Sequence, residues 1–227
     1  MKKLLLSVAL LVGAVSAARA DVIDLSAGDH SAAIGLTQYS IPVSGLTLTL
    51  NTGYWSGLSS IHDQKLSWNQ NGGQLDGFGV TSTEGFEADE IEKPEALFVW
   101  FSQAVVLNRV RVSNLFTESR NGHTYSEQGF MGVFGGSTVS FTADAGNLPG
   151  STNGEQWIDV HQELIPGNGN GHGFYLSAIL NIPAGEDHEF TLQGLDFTVK
   201  PVPEPGTIAL LGVGLFGLVA RRMRRQA

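Results

Sequence analysis

Apolar and polar residues alternate with a period of two over much of this chain. Leu46-Thr47-Leu48-Thr49-Leu50 sets an apolar side chain against a hydroxyl at every step, the signature of a half-buried strand. Ala96 to Phe101 is a continuous apolar run rich in aromatics, and within it Trp100 reads as core. Val105 to Val112 follows, with Val106, Asn108, Val110 and Val112 expected on one face and Arg109 and Arg111 on the other. Ser137–Thr142, Gln156–His161, Phe174–Ile182 and Glu189–Val199 are further strand candidates. Between them lie turn clusters: Asn71-Gly72-Gly73, Asn121-Gly122, Gly135-Gly136 and Gly167-Asn168-Gly169-Asn170-Gly171. Twenty-nine glycines, and no long stretch of helical period before residue 207, argue against a helical domain. The pattern predicts a mainly β protein, with a single antiparallel β-sandwich of jelly-roll type over residues 21–200. No repeat of fixed period is visible, so a solenoid or propeller is not expected.

Both ends break the alternation. Met1-Lys2-Lys3 is a basic start, Leu4 to Ala17 is apolar, and Ala18-Arg19-Ala20 has the small-x-small form that a signal peptidase cuts. Residues 1–20 therefore read as a secretory signal peptide, cleaved before Asp21. In the other terminal stretch, Pro203, Pro205 and Gly206 precede an uncharged run at residues 207–220, and Arg221, Arg222, Arg224 and Arg225 follow it. The run predicts a C-terminal hydrophobic helix of about 21 Å, shorter than the roughly 30 Å hydrocarbon core, with arginine stems snorkelling at its end. It is read as a transmembrane helix. The positive-inside rule then leaves the Arg-rich tail, 221–227, in the cytoplasm and the body outside. Gly212 to Gly217 is a formal match to G-x-G-x-x-G, but the ten residues after it hold four arginines and no carboxylate. A dinucleotide site needs an acidic residue about 20 positions on, within a βαβ unit, so the nucleotide reading fails.

Val202-Pro203-Glu204-Pro205, then a glycine-rich apolar run, then an arginine cluster, all behind a signal peptide, resemble the PEP-CTERM sorting signal over residues 201–227. The resemblance implies handling by exosortase, a membrane-embedded, cysteine transpeptidase-like enzyme of Gram-negative bacteria that produce exopolysaccharide. It implies a transient inner-membrane stage with the body periplasmic, then loss of the tail and delivery to the cell surface or biofilm matrix. On that reading Pro203, Glu204, Pro205, Arg221, Arg222, Arg224 and Arg225 are recognition elements of a substrate, not catalytic groups. A second stretch is similar to the middle of many PEP-CTERM passenger domains: Asp76-Gly77-Phe78-Gly79-Val80, then Asp89-Glu90-Ile91-Glu92, then Glu95 to Phe101. That similarity implies a galactose-binding-like or lectin-like sandwich.

Charge narrows the partners. Residues 21–205 hold all 22 acidic residues against six lysines and arginines, a net charge of −16. Such a body is repelled by nucleic acid and by anionic headgroups. With no cysteine, disulfides, lipoprotein acylation, thiol catalysis and cysteine zinc sites are excluded. H-E-x-x-H, G-x-S-x-G and the P-loop motif are absent, and the six histidines are scattered.

Two constellations remain as candidate chemistry. Asp76, Asp89, Glu90 and Glu92 belong to an acidic stretch that could offer oxygen ligands to calcium, although it lacks the spacing of a calcium-binding loop. The alternative is a solvated acidic turn. The same carboxylates support the alternative function, an exported polysaccharide-acting hydrolase with paired carboxylates. Tyr54, Trp55 and Trp68 sit in Gly/Ser/Asn-rich surroundings that suit glycan contact, or else they cap the ends of the sandwich. The expected function is a non-enzymatic exported surface or matrix protein, binding polysaccharide through one face or end of the sandwich. No cofactor is expected, calcium apart, and the expected processing partners are signal peptidase and exosortase.

Overall fold

The structure, a computed structural model, describes residues 19–54, 64–68, 76–81, 90–91, 95–120, 122–149, 153–164, 172–178, 188–201 and 214. Among them the alternating sequence forms fourteen strands: β1 (Arg19–Asp24), β2 (Gln38–Val43), β3 (Leu46–Tyr54), β4 (Lys65–Trp68), β5 (Phe78–Thr81), β6 (Glu95–Phe101), β7 (Val105–Ser113), β8 (Thr117–Arg120), β9 (His123–Ser126), β10 (Gln128–Val133), β11 (Thr138–Thr142), β12 (Gln156–Leu164), β13 (His172–Ala178) and β14 (Thr191–Val199). Turn chemistry sets several of the connections. Ser44 and Gly45 both take positive φ, 50° and 83°, as a two-residue primed turn requires, and they fold β2 onto β3 with Val43 opposite Leu46. The expected turns at 121–122 and Gly135-Gly136 fall between β8 and β9 and between β10 and β11. The clusters at 71–73 and 167–171 lie outside the described residues.

Two six-stranded antiparallel sheets result. One runs β12-β7-β14-β5-β4, with β1 pairing the second half of β14 on the side where β5 meets Leu192. The other runs β11-β10-β13-β6-β3-β2. Taking β5, β6, β7, β10, β11, β12, β13 and β14 in order, the first pairs with the eighth, the second with the seventh, the third with the sixth and the fourth with the fifth. That nesting is the jelly roll, two Greek keys wound into facing sheets. β2, β3 and β4 widen it, and Pro42 sits on the edge strand β2, where a missing N–H costs no ladder bond.

One core joins the sheets. Leu48, Leu97, Val99 and Phe174 from one sheet and Leu107, Val110, Leu195 and Phe197 from the other belong to the same buried cluster. Phe101 and Phe197 meet across it with ring centroids 5.2 Å apart. Each fully buried leucine or phenylalanine contributes about 1.5–3 kcal/mol relative to exposure, so this cluster is the main stabilising feature of a chain without disulfides.

The register corrects one expectation. Val106 and Asn108 do not share a face with Val110 and Val112, because β7 is bulged. Opposite β14, Leu107 pairs Phe197 and Arg109 pairs Asp196, which leaves Asn108 as an extra residue. Val105 and Leu107 point inward before the bulge, and Val110 and Val112 after it.

By its contacts the chain divides into a unit spanning Ala18–Lys200, which is the sandwich, and a second made of Met1–Ala17 and Pro201–Ala227. In the second, Gly214 is helical; the remainder of the expected apolar helix lies outside the described residues. Among the described residues no helix is long and apolar enough to cross a membrane.

Candidate functional sites

The outer faces of the two sheets differ in kind. On the β12-β7-β14 side, charges lie in cross-strand rows. Arg109 donates through Nε and a terminal nitrogen to Asp196 at 3.0 and 2.7 Å, while Asn108 Nδ2 donates to the other carboxylate oxygen at 2.9 Å. Arg111 pairs with Asp24 at 2.8 Å. Both guanidinium groups lie over the ring of Trp157 on β12, at 4.7 and 5.4 Å. Lys200 pairs with Glu163. Burial pushes the Asp196 carboxyl up, but Asn108 and Arg109 outweigh it and hold the group below the ordinary carboxylate value. Asp24 behaves likewise, with Ser26 and Arg111 outweighing its burial.

The outer face of the second sheet carries rings and no charge. Residues directly opposite in an antiparallel pair share a face. The registers therefore put Phe98, Trp100, Phe130 and Tyr175 outward, together with threonines, serines, Gln38, Asn51, Gln128 and glycines. No Asp, Glu, Lys or Arg occupies an outward position on these six strands. Glycines make room for the rings. A Cβ on Gly173 would come within 2.5 Å of Trp100, one on Gly53 within 2.6 Å of Phe98, and one on Gly132 would run into Tyr175. Tyr175 thus crosses Gly132 and bonds to Thr138 beyond it; burial pushes its hydroxyl pKa up, partly offset by that bond. Phe134, just past β10, stacks on Trp100 at 4.5 Å with planes 7° apart, and its plane is 17° from that of Phe98. Trp100 is thus half-buried on the outside, not in the core as the apolar run implied. With apolar residues on both faces of β6, the run conceals the alternation that turns Leu97, Val99 and Phe101 inward.

Trp68 lies elsewhere, half-buried beside the core. Its indole N–H donates to the Leu25 carbonyl at 3.0 Å, and its ring meets His30 edge-on at 5.6 Å. Burial lowers the His30 pKa, and Tyr39 and Phe78 complete the ring cluster around it. The backbone of Tyr54 ends β3; its side chain and Trp55 lie outside the described residues.

The described Asp and Glu residues of the acidic stretch are buried in the fold. Asp76 is buried, and its backbone carbonyl accepts from the Ser113 and Thr191 hydroxyls. Glu90 is buried and accepts from Asn114 Nδ2 at 2.6 Å. The two are therefore tied to consecutive residues at the end of β7. Glu95, fully buried, accepts from Gln64, and Glu127 accepts from the Phe116 N–H at 2.6 Å. Among the described residues no three His, Asp or Glu side chains are grouped to hold a metal ion. Asp89 and Glu92 lie outside those residues.

The sorting residues Pro203, Glu204, Pro205, Arg221, Arg222, Arg224 and Arg225 also lie outside them. Their pattern is tested by comparison. No curated protein and no solved structure matches the chain. Residues 201–225 match the PEP-CTERM protein-sorting motif, which implies an exported protein that is anchored transiently in the membrane and released to the surface by exosortase. The chain carries a PEP-CTERM protein-sorting motif at residues 201–225.

Proposed function

We propose that the chain is a non-enzymatic surface or extracellular-matrix protein of a Gram-negative bacterium, and that its sandwich binds polysaccharide. The sorting motif at residues 201–225 supports the reading, because the resemblance implies surface delivery in bacteria that produce exopolysaccharide. In this proposal signal peptidase cuts before Asp21, the body enters the periplasm, and residues 207–220 hold the chain in the inner membrane with the arginines cytoplasmic. Pro203 and Pro205 keep the segment before the membrane extended and poor in internal hydrogen bonds, a form an enzyme cleft can grip. The non-enzymatic part is supported by Glu90, Glu95 and Glu127, each of which accepts a hydrogen bond that ties it into the fold, from Asn114, Gln64 and the Phe116 N–H. The polysaccharide part is supported by the uncharged ring-bearing face on an otherwise acidic body.

Replacing Pro203-Glu204-Pro205 with alanines tests the route. Cell fractionation should then find full-tail protein held in the inner membrane, whereas wild type reaches the surface. Equal surface delivery of both would sink the sorting role. Binding assays should include calcium and chelator arms, because Asp76 and Glu90 belong to the acidic stretch with candidate calcium ligands.

A further inference from the structure

We propose that the polysaccharide site is the aromatic face of the β11-β10-β13-β6-β3-β2 sheet, centred on Trp100, Phe134 and Phe98, and that its ligand is an uncharged polysaccharide. The proposal rests on the polysaccharide reading above and places it on specific residues. Its first support is the ring array. Trp100 and Phe134 stack at 4.5 Å, Phe98 lies 6.1 Å from Phe134, and Tyr175 lies 5.6 Å from it. These rings come from β6, β13 and the end of β10, and they converge on one outer surface. A core would gain nothing from such an arrangement, since the buried cluster lies on the other side of the sheet.

The second support is the glycines. Gly53, Gly132 and Gly173 stand where any side chain would collide with Phe98, Tyr175 and Trp100 respectively. Glycine inside a strand weakens it, so three of them at outward positions on β3, β10 and β13 of one sheet point to a requirement for close ring-to-backbone approach. The rings are thereby supported from beneath and pre-ordered, which lowers the entropy lost when a ligand stacks on them.

Charge decides the occupant. The body carries a net charge of −16 over residues 21–205, yet the outward positions of these six strands carry none of it. A pyranose ring presents axial C–H groups to an aromatic face and hydroxyls around its rim. Phe134 and Phe98 supply the aromatic faces, and Trp100, stacked between Phe134 and the Gly173 backbone, supports Phe134 from below. The register places Thr49 opposite Trp100 and Asn51 opposite Phe98, which supplies hydroxyl and amide groups beside them. No cation is present on the strands to hold a uronate or sulfate, and the acidic body repels one. A neutral polymer fits; an acidic one does not.

Affinity electrophoresis of the full chain in dodecylmaltoside tests this, with gels containing mixed-linkage β-glucan, galactomannan, dextran or alginate. Wild type should be retarded by at least one neutral polymer and not by alginate. Trp100→Ala and Phe134→Ala should weaken that retardation about tenfold or more, Trp100→Phe should keep part of it, and Trp157→Ala on the charged face should leave it unchanged. Thermal melts of each variant show whether a loss reflects unfolding, and Trp100→Phe keeps the test valid if Trp100→Ala does not fold. Retardation that survives Trp100→Ala and Phe134→Ala, or that disappears in Trp68→Ala, leaves polysaccharide binding standing and overturns this face. Absence of retardation in all three neutral gels overturns both. Sedimentation in which Trp100→Ala converts a dimer to a monomer would make the face a contact between copies instead, and would also overturn the assignment.

Discussion

At the scale of single residues, backbone geometry and ionisation give the sharpest consequences. Gly77 has φ of 98°, and a Cβ there would lie 2.2 Å from the Leu192 carbonyl oxygen and 2.8 Å from Gln193 Cα, all backbone. Side-chain adjustment cannot relieve that. Gly77→Ala should cost about 3 kcal/mol or more in urea melts, combining a disfavoured left-handed conformation with a backbone clash. Acid should destabilise the sandwich in two stages. His30 has its pKa lowered below 6.5 by burial, so its contribution is present above that value and is lost as pH falls through the folded-state pKa. Asp24 and Asp196 have theirs lowered below 3.8, so their contribution persists above that value and is lost only in stronger acid. A pH series of melting temperatures on wild type and His30→Phe should show the upper stage vanish in the variant while the lower one remains. Neither effect was legible in the sequence. Gly77 was visible within Asp76-Gly77-Phe78-Gly79-Val80, but only the approach of β14 shows that no other residue fits there, and His30 stood among six scattered histidines.

Elements were more legible where one face is polar. Leu46 to Leu50, Gln156 to His161 and Glu189 to Val199 alternate openly; the first two lie in β3 and β12, and the third forms β14 from Thr191 onward. β1, β2, β4, β5, β8, β9 and β10 went unread. β4 and β5 are four residues each, β2 contains Pro42, and β1 was assigned in part to the signal peptide. The dipeptide Ser44-Gly45 was the available signal for the β2–β3 hairpin. The bulge at Asn108 escaped because it depends on pairing with β14, which lies far along the chain. The ring face escaped because Phe98 and Trp100 sit in an unbroken apolar run, where burial on both faces is the simplest reading. Its dependence on glycine gives a direct test. Gly173→Ala brings a Cβ within 2.5 Å of the Trp100 ring and 2.6 Å of the Val99 carbonyl oxygen. It should lower stability by about 1–2 kcal/mol and shift the tryptophan emission. An unchanged melt and spectrum would mean that Trp100 does not rest on this backbone.

The whole molecule is a sandwich over Ala18–Lys200 followed by a sorting motif. Nested first-to-last pairing makes β5–β14 and β6–β13 contacts of long sequence separation, so the fold closes only when most of residues 76–199 are in place. A chain of residues 21–200 should be soluble and give a β-type circular dichroism spectrum with one cooperative melt; a strongly helical spectrum would be incompatible with this architecture. The jelly-roll class could be inferred from short strands and glycine-rich turns, and the sorting motif from its three-part pattern. The ligand face could not, because it is made by register. Cleavage before Asp21 would remove Arg19 and Ala20 from β1 and leave Asp21–Asp24 paired with Phe197–Gly194, still held by the Asp24–Arg111 ion pair. Export, processing at both ends and release of this sandwich together define the route. The intact mass of the protein recovered from the cell surface tests it most directly. Processing at both ends gives a chain that starts at Asp21 and lacks Arg221–Ala227. A surface form that still carries Arg221–Ala227 would contradict it.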